Sequence, residues 1–169
     1  ADAAVPTAPS PVAVVPTADG RRLVVLAGRA RVVELRDART GRLLDTADAG
    51  LGPARMALRG RWLWLTDSRG DALLIYRVLE DRIELARRAH LPGGPFAITV
   101  DPDRYRLRVA LTRDNAIAEL PAHGRPRVLE RLPALQGPRG LAVLAGADGP
   151  LAVSGGDGLL QLAPLPAAR

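Results

Sequence analysis

Four prolines recur along this chain at nearly constant spacing. Pro11 ("SPVAVV"), Pro53 ("GPARMAL"), Pro95 ("GPFAITV") and Pro138 ("GPRGLAV") stand 42, 42 and 43 residues apart. Three of the four follow glycine. Each opens a short apolar run: Val12–Val15, Ala54–Leu58, Phe96–Val100 and Leu141–Leu144. A fixed period of this length marks a chain built from one recurring supersecondary unit whose copies stack on one another.

Within each unit the pattern continues. A turn rich in Asp and Gly comes next: "TADG", "LRG", "DPDR", "GADG". These residues suit tight turns because they tolerate left-handed or locally hydrogen-bonded backbone. A second strand follows ("RLVVLA", "RWLWLT", "RLRVALT", "PLAVS"), then a polar turn, then a third strand ("VVEL", "LLIY", "AIAEL", "LLQL"). Three units add a more polar fourth strand, at Leu43–Ala49, Ile83–Leu91 and Arg127–Leu135. The second strands do not alternate between apolar and polar, so both of their faces are covered. Stacked sheets cover each other in this way, and Trp62 and Trp64 are expected between blades. The fold class is therefore all-β: a β-propeller of four blades of about 42 residues, each four-stranded. Residues 1–169 read as a single domain, with blades starting near Pro11, Pro53, Pro95 and Pro138.

Blade one resembles the YVTN-type propeller repeat, of the lactonase-like superfamily. The matching residues are Asp19-Gly20-Arg21, the apolar Leu23–Leu26, the Val-rich run Val32–Asp37 and Thr40-Gly41. Blade two has "LEDR" and blade three "PAHGRPR" where the last of these elements would stand. Rings of the resembling family commonly hold seven blades. Four blades imply either a closed four-blade ring or half of a larger one. Blade four lacks a rim strand, and residues 1–9 are expected either to supply it and close the ring or to serve as a linker.

Charge and composition narrow the partners. The net charge is +6, and all 24 basic residues are arginine, as a GC-rich coding bias would give. The arginines are interleaved with Asp and Glu, and only five aromatics are present to stack on bases, so no nucleic-acid partner is expected. No disulfide or cysteine metal site is possible without cysteine. The longest uncharged stretch, Ala3–Ala18, holds four prolines and is too short and broken to cross a bilayer. The small-residue, proline-rich start "ADAAVPTAPSP" suits a periplasmic or extracellular location with the signal already removed. A cytoplasmic one stays open.

Catalytic signatures are missing: no Gly-x-Ser-x-Gly elbow, phosphate loop or His-Glu-x-x-His. "GGDG" at 155–158 links two strands, so it reads as a turn. "DPDRY" at 101–105 starts like a calcium loop but lacks the later acidic ligands. His90 and His123 fall at opposite ends of their blades and share no site. Glu34, Ile75, Glu119 and Gln161 occupy one third-strand column, and its polar members need partners if buried.

Propellers carry function where the loops entering each blade meet the turns between second and third strands. On this face stand Arg55 and Arg139, just after their prolines and near the axis, with Asp67, Asp114 and Asp157 on second-to-third-strand turns. Two arginines beside a narrow channel suit a carboxylate or phosphate, which they bind through forked hydrogen bonds. The expected function is a non-catalytic scaffold that binds a protein partner, a second copy of the chain or a small ligand. It needs no metal or cofactor. The alternative is a channel-mouth enzyme of lactonase or lyase type using a divalent ion.

Overall fold

The computed structural model describes residues 4–101, 103, 105–144 and 151–164. Its strands fall into four antiparallel sheets, each built from strands consecutive in sequence. Sheet one is β1 (Pro11–Pro16), β2 (Arg22–Ala27), β3 (Val32–Asp37) and β4 (Leu43–Asp48). Sheet two is β5 (Pro53–Arg59), β6 (Trp62–Asp67), β7 (Ala72–Val78) and β8 (Ile83–His90). Sheet three is β9 (Pro95–Asp101), β10 (Arg106–Leu111), β11 (Ala116–Pro121) and β12 (Glu130–Pro133). Sheet four has three strands among the described residues: β13 (Gly140–Val143), β14 (Leu151–Ser154) and β15 (Leu160–Ala163). These are the expected propeller blades, and the sheets pack in chain order, β5 on β1 and β9, and β13 on β9.

Register explains the doubly apolar strands. On β6, Leu63 and Leu65 face blade one and join Val24, Leu26, Val33 and Leu35. Trp64, between them, faces blade three and packs with Leu107, Val109 and Leu111. Successive strand residues point to opposite faces, and here each face meets another sheet. Trp64 is buried as expected, but Trp62 is 39% exposed. It is the first residue of β6, at the end of the strand, where blade three covers it only in part.

The third core, between blades three and four, is smaller: Ala97, Ala110, Ile117, Leu151 and Val153. Arg108 shares this face of β10. Its guanidinium is held by Asp101 at 2.9 Å and Glu119 at 3.0 Å. Burying an ion pair costs desolvation that only good geometry offsets.

The third-strand column divides. Glu34, almost fully buried, accepts the Ala8 N–H at 3.0 Å. Gln161 accepts the Leu135 N–H, also at 3.0 Å. Ala8 and Leu135 each lie three residues before a repeat proline, so both acceptors clamp the segment entering their blade. Ile75 is instead packed between blades, and Glu119 serves Arg106 and Arg108. In blade two the clamp is the next residue, Tyr76, whose hydroxyl donates to the Asp48 carbonyl.

Residues 4–10 form no strand. Val5 packs over Gly41, and Ala8 reaches Glu34, both in blade one. Residues 1–3 lie outside the described set. Leu159, Leu160 and Leu162 of blade four are about three-fifths exposed, and Val12 and Val14 of blade one also face solvent. Nothing among the described residues covers these end faces, so the described blades form an arc.

Candidate functional site

The entering loops and the second-to-third-strand turns do lie at one end of the sheets. Pro53 pairs with Asp67 across β5 and β6, Pro95 with Leu111 across β9 and β10, and Gly140 with Ser154 across β13 and β14. A repeated clamp joins neighbouring blades here. The Gly94 N–H donates to Asp71 Oδ1 at 3.1 Å, and the Gly137 N–H to Asn115 Oδ1 at 2.8 Å. Asp71 and Asn115 close their turns at φ values of 46° and 50°. Among non-glycine residues, Asp and Asn adopt this left-handed region most readily.

Arg55 and Arg139 come together at this end around the Phe96 ring. The Arg55 guanidinium carbon lies 5.0 Å from the ring centroid and that of Arg139 5.7 Å. The three residues come from three successive blades, each one or two places after its repeat proline. Arg55 also donates to the Ala54 carbonyl at 2.8 Å. Neither arginine forms an ion pair with a carboxylate among the described residues, and both are exposed.

Thr66, which the sequence reading did not single out, ties this site to the core. Its buried hydroxyl donates to the Phe96 carbonyl at 2.6 Å and accepts the Arg55 N–H at 3.1 Å. One side chain thus sets the spacing of two site residues from different blades. Its place before Asp67, at the end of an otherwise apolar strand, was the available signal.

The three acidic residues are placed differently. Asp67 is fully buried. Its carboxylate accepts N–H groups of Leu51 at 3.0 Å, Gly52 at 2.7 Å and Gly70 at 2.9 Å. A Cβ on Gly70 would stand 2.0 Å from Asp67 Oδ2, so glycine is needed for that approach. Asp67 is a clamp on the loop entering blade two and does not face the arginine pair's solvent side. Asp114 is paired with Arg131 at 2.8 Å. Asp157 accepts the Leu159 N–H of its own turn at 3.2 Å. Among the described residues, no three His, Asp or Glu side chains converge as a metal site requires.

Electrostatics favour an anion. Asp71, which bridges blades two and three through the Gly94 N–H, is committed to Arg113. Burial pushes the Asp71 carboxyl up. The Arg113 guanidinium and the Gly94 and Gly93 N–H groups outweigh it and hold the carboxyl below its ordinary value. Arg55 and Arg139 then carry two uncompensated positive charges beside one ring. A bidentate oxyanion between guanidiniums gains charge-assisted hydrogen bonds of about 1.5–3 kcal/mol each.

No protein-family model matches the sequence, and no curated protein sequence matches it. Solved structures do match in fold. One is the β-propeller domain of Myceliophteria thermophila Cps50 (Swd1), at 14% identity over 86% of this chain and 50% of that one, TM-score 0.71. Another is a putative 6-phosphogluconolactonase from Bacteroides uniformis, at 18% identity over 98% and 59%, TM-score 0.70. A third is a catalytically inactive virginiamycin B lyase from Staphylococcus aureus with quinupristin, at 17% identity over 91% and 55%, TM-score 0.65. The chain spans about half the length of these structures. At such identities the likeness establishes the β-propeller fold, which hosts both scaffolds and enzymes.

Proposed function

We propose that this chain is a non-catalytic binding scaffold whose entry-loop face captures a carboxylate or phosphate group, on a protein partner or a small ligand. The observation that carries the reading is the Arg55–Phe96–Arg139 group, in which two exposed guanidiniums share one ring and neither has a carboxylate partner among the described residues. A cation beside an aromatic ring is attracted by the ring's face, so Phe96 helps to keep both guanidiniums at this end. Thr66 fixes the spacing. The lactonase- or lyase-type alternative would need converging carboxylates or histidines, and Asp67, Asp114 and Asp157 are each engaged elsewhere.

The test is thermal stability in rising concentrations of inorganic phosphate and of succinate at constant ionic strength. A ligand that binds only the folded form raises the melting temperature as RT ln(1 + [L]/Kd). The proposal expects a rise with either anion, weakened in Arg55→Ala and Arg139→Ala. Equal curves for wild type and both variants would overturn it. A rise with divalent ions that a chelator reverses would favour the enzyme reading.

A further inference from the structure

The opposite end of the sheets holds a second feature, on the turns between first and second strands. Trp62, Tyr105 and His123 rim a cleft of about 550 Å³ between blades two and three, with Trp64 as its floor. It continues along Trp62 and Trp64 toward Arg87 and Pro126. Three of the chain's five aromatics meet here. Trp62 is 39% and Tyr105 52% exposed, although large exposed aromatics clustered in one place are uncommon on a monomer.

Packing does not require them. The first residue of the second strand is Arg22 in blade one and Arg106 in blade three, so the fold accepts a polar side chain where Trp62 stands. Tyr105 is also at a backbone cost. It adopts φ of 51°, whereas the corresponding turns of blades one and two give their left-handed positions to Gly20 and Gly60. Strain kept at an exposed aromatic points to a use for that side chain. The Arg59 guanidinium lies 4.2 Å from the Tyr105 ring centroid, and the ring stands edge-on to His123 at 6.2 Å. One side of Tyr105 is thereby fixed.

Charge selects the ligand. Arg59 and Arg61 line the cleft, and no Asp or Glu does so among the described residues. A neutral sugar would need acceptors for its hydroxyl groups, which arginines do not offer. A flat ring gains stacking on indole, and an attached anion gains the Arg61 guanidinium. We propose that this cleft binds a planar aromatic anion, with its ring on Trp62 and its carboxylate or phosphate at Arg61.

The test is calorimetric titration with naphthoate, beside naphthamide (ring without charge) and cyclohexanecarboxylate (charge without flat ring). Naphthoate is expected to bind at least about ten-fold more tightly than either control. Trp62→Ala and Arg61→Ala each lower its affinity by a comparable factor, with melting curves confirming that both fold. Tyr105→Leu serves as an independent variant of the rim. All titrations are run in an Arg55→Ala/Arg139→Ala background, so that carboxylate capture at the entry-loop face adds nothing to the heat and the two sites are read separately. Equal binding of naphthoate and naphthamide, unchanged affinity in folded Trp62→Ala, or no heat with naphthoate would each overturn the assignment.

Discussion

Arg108 Nη1 lies 2.9 Å from Asp101 Oδ2, and each of these side chains is 1% exposed. This pair, completed by Glu119, stands at the junction of blades three and four, where the apolar core is smallest. Breaking a buried pair by removing one partner leaves an uncompensated charge and costs about 3–5 kcal/mol. Arg108→Ala is expected to lower unfolding free energy by about that amount. Arg108→Met, which keeps apolar bulk but strands Asp101 and Glu119, should help little. The Arg108→Leu/Asp101→Leu/Glu119→Leu triple variant should recover much of the loss. Chemical denaturation measures all three.

Tyr76 gives the chain an alkaline limit. Burial, and then the charges of Asp48 and Asp67, push its phenol well above the ordinary value of 10. The fold therefore holds the protonated form. Its contribution is complete below pH 10 and is lost as pH rises from there toward the folded-state value. Between these two values stability should fall by up to about 1.4 kcal/mol per pH unit. In Tyr76→Phe this part of the fall should vanish, at a cost near neutrality of about 1 kcal/mol for the lost hydrogen bond to Asp48. An identical alkaline slope in the variant would contradict the assignment.

Asp67 and Glu34 test the clamps on the entering segments. Asp67→Ala leaves the N–H groups of Leu51, Gly52 and Gly70 without their acceptor and is expected to cost about 3 kcal/mol or more. Asp67→Asn keeps one acceptor oxygen and costs less. In blade one, Glu34→Ala should speed exchange of the Ala8 amide hydrogen, while Glu34→Gln, the arrangement blade four already uses, should largely preserve its protection. Hydrogen exchange at Ala8 reads this without depending on global stability.

The fold was legible because its cause is periodic. A proline every 42 or 43 residues sets the blade start, and strands apolar on both faces show that sheets stack. The details that failed depend on position within a blade. "WLWL" does not show that Trp62 is only partly covered by the neighbouring blade while Trp64 lies under it. The third-strand column was read one place too early in blade two and one too late in blade three: Glu34 and Gln161 stand 23 residues after their repeat prolines, and the same count gives Tyr76 and Ala118. That Arg55 and Arg139 lie at the same end of their sheets was legible from the repeat, because both follow a blade-opening proline. Asp67 was taken for a solvent-facing ligand residue, since its burial depends on Gly52 and Gly70, whose backbones approach it from a loop and a turn. The rim aromatics at the other end carry no motif; only three dimensions bring Tyr105 to Trp62.

Thr66 joins the core to the proposed anion seat. Thr66→Val keeps the shape and removes the hydroxyl that joins the Arg55 N–H to the Phe96 carbonyl. Stability should fall by about 1–3 kcal/mol because two buried polar groups lose their partner. Phosphate affinity should fall as well, since the spacing of Arg55 and Phe96 is no longer fixed. Calorimetry of a folded Thr66→Val sample with phosphate checks the second part.

The central claim is that the anion seat is the Arg55–Phe96–Arg139 group and not general positive charge. Isotope-labelled arginine side-chain NMR during a phosphate titration tests it most directly. Saturable shifts confined to the guanidinium signals of Arg55 and Arg139 are predicted, with the buried Arg36 and Arg108 unmoved. Shifts spread evenly over the exposed arginines, or none at Arg55 and Arg139, would contradict it.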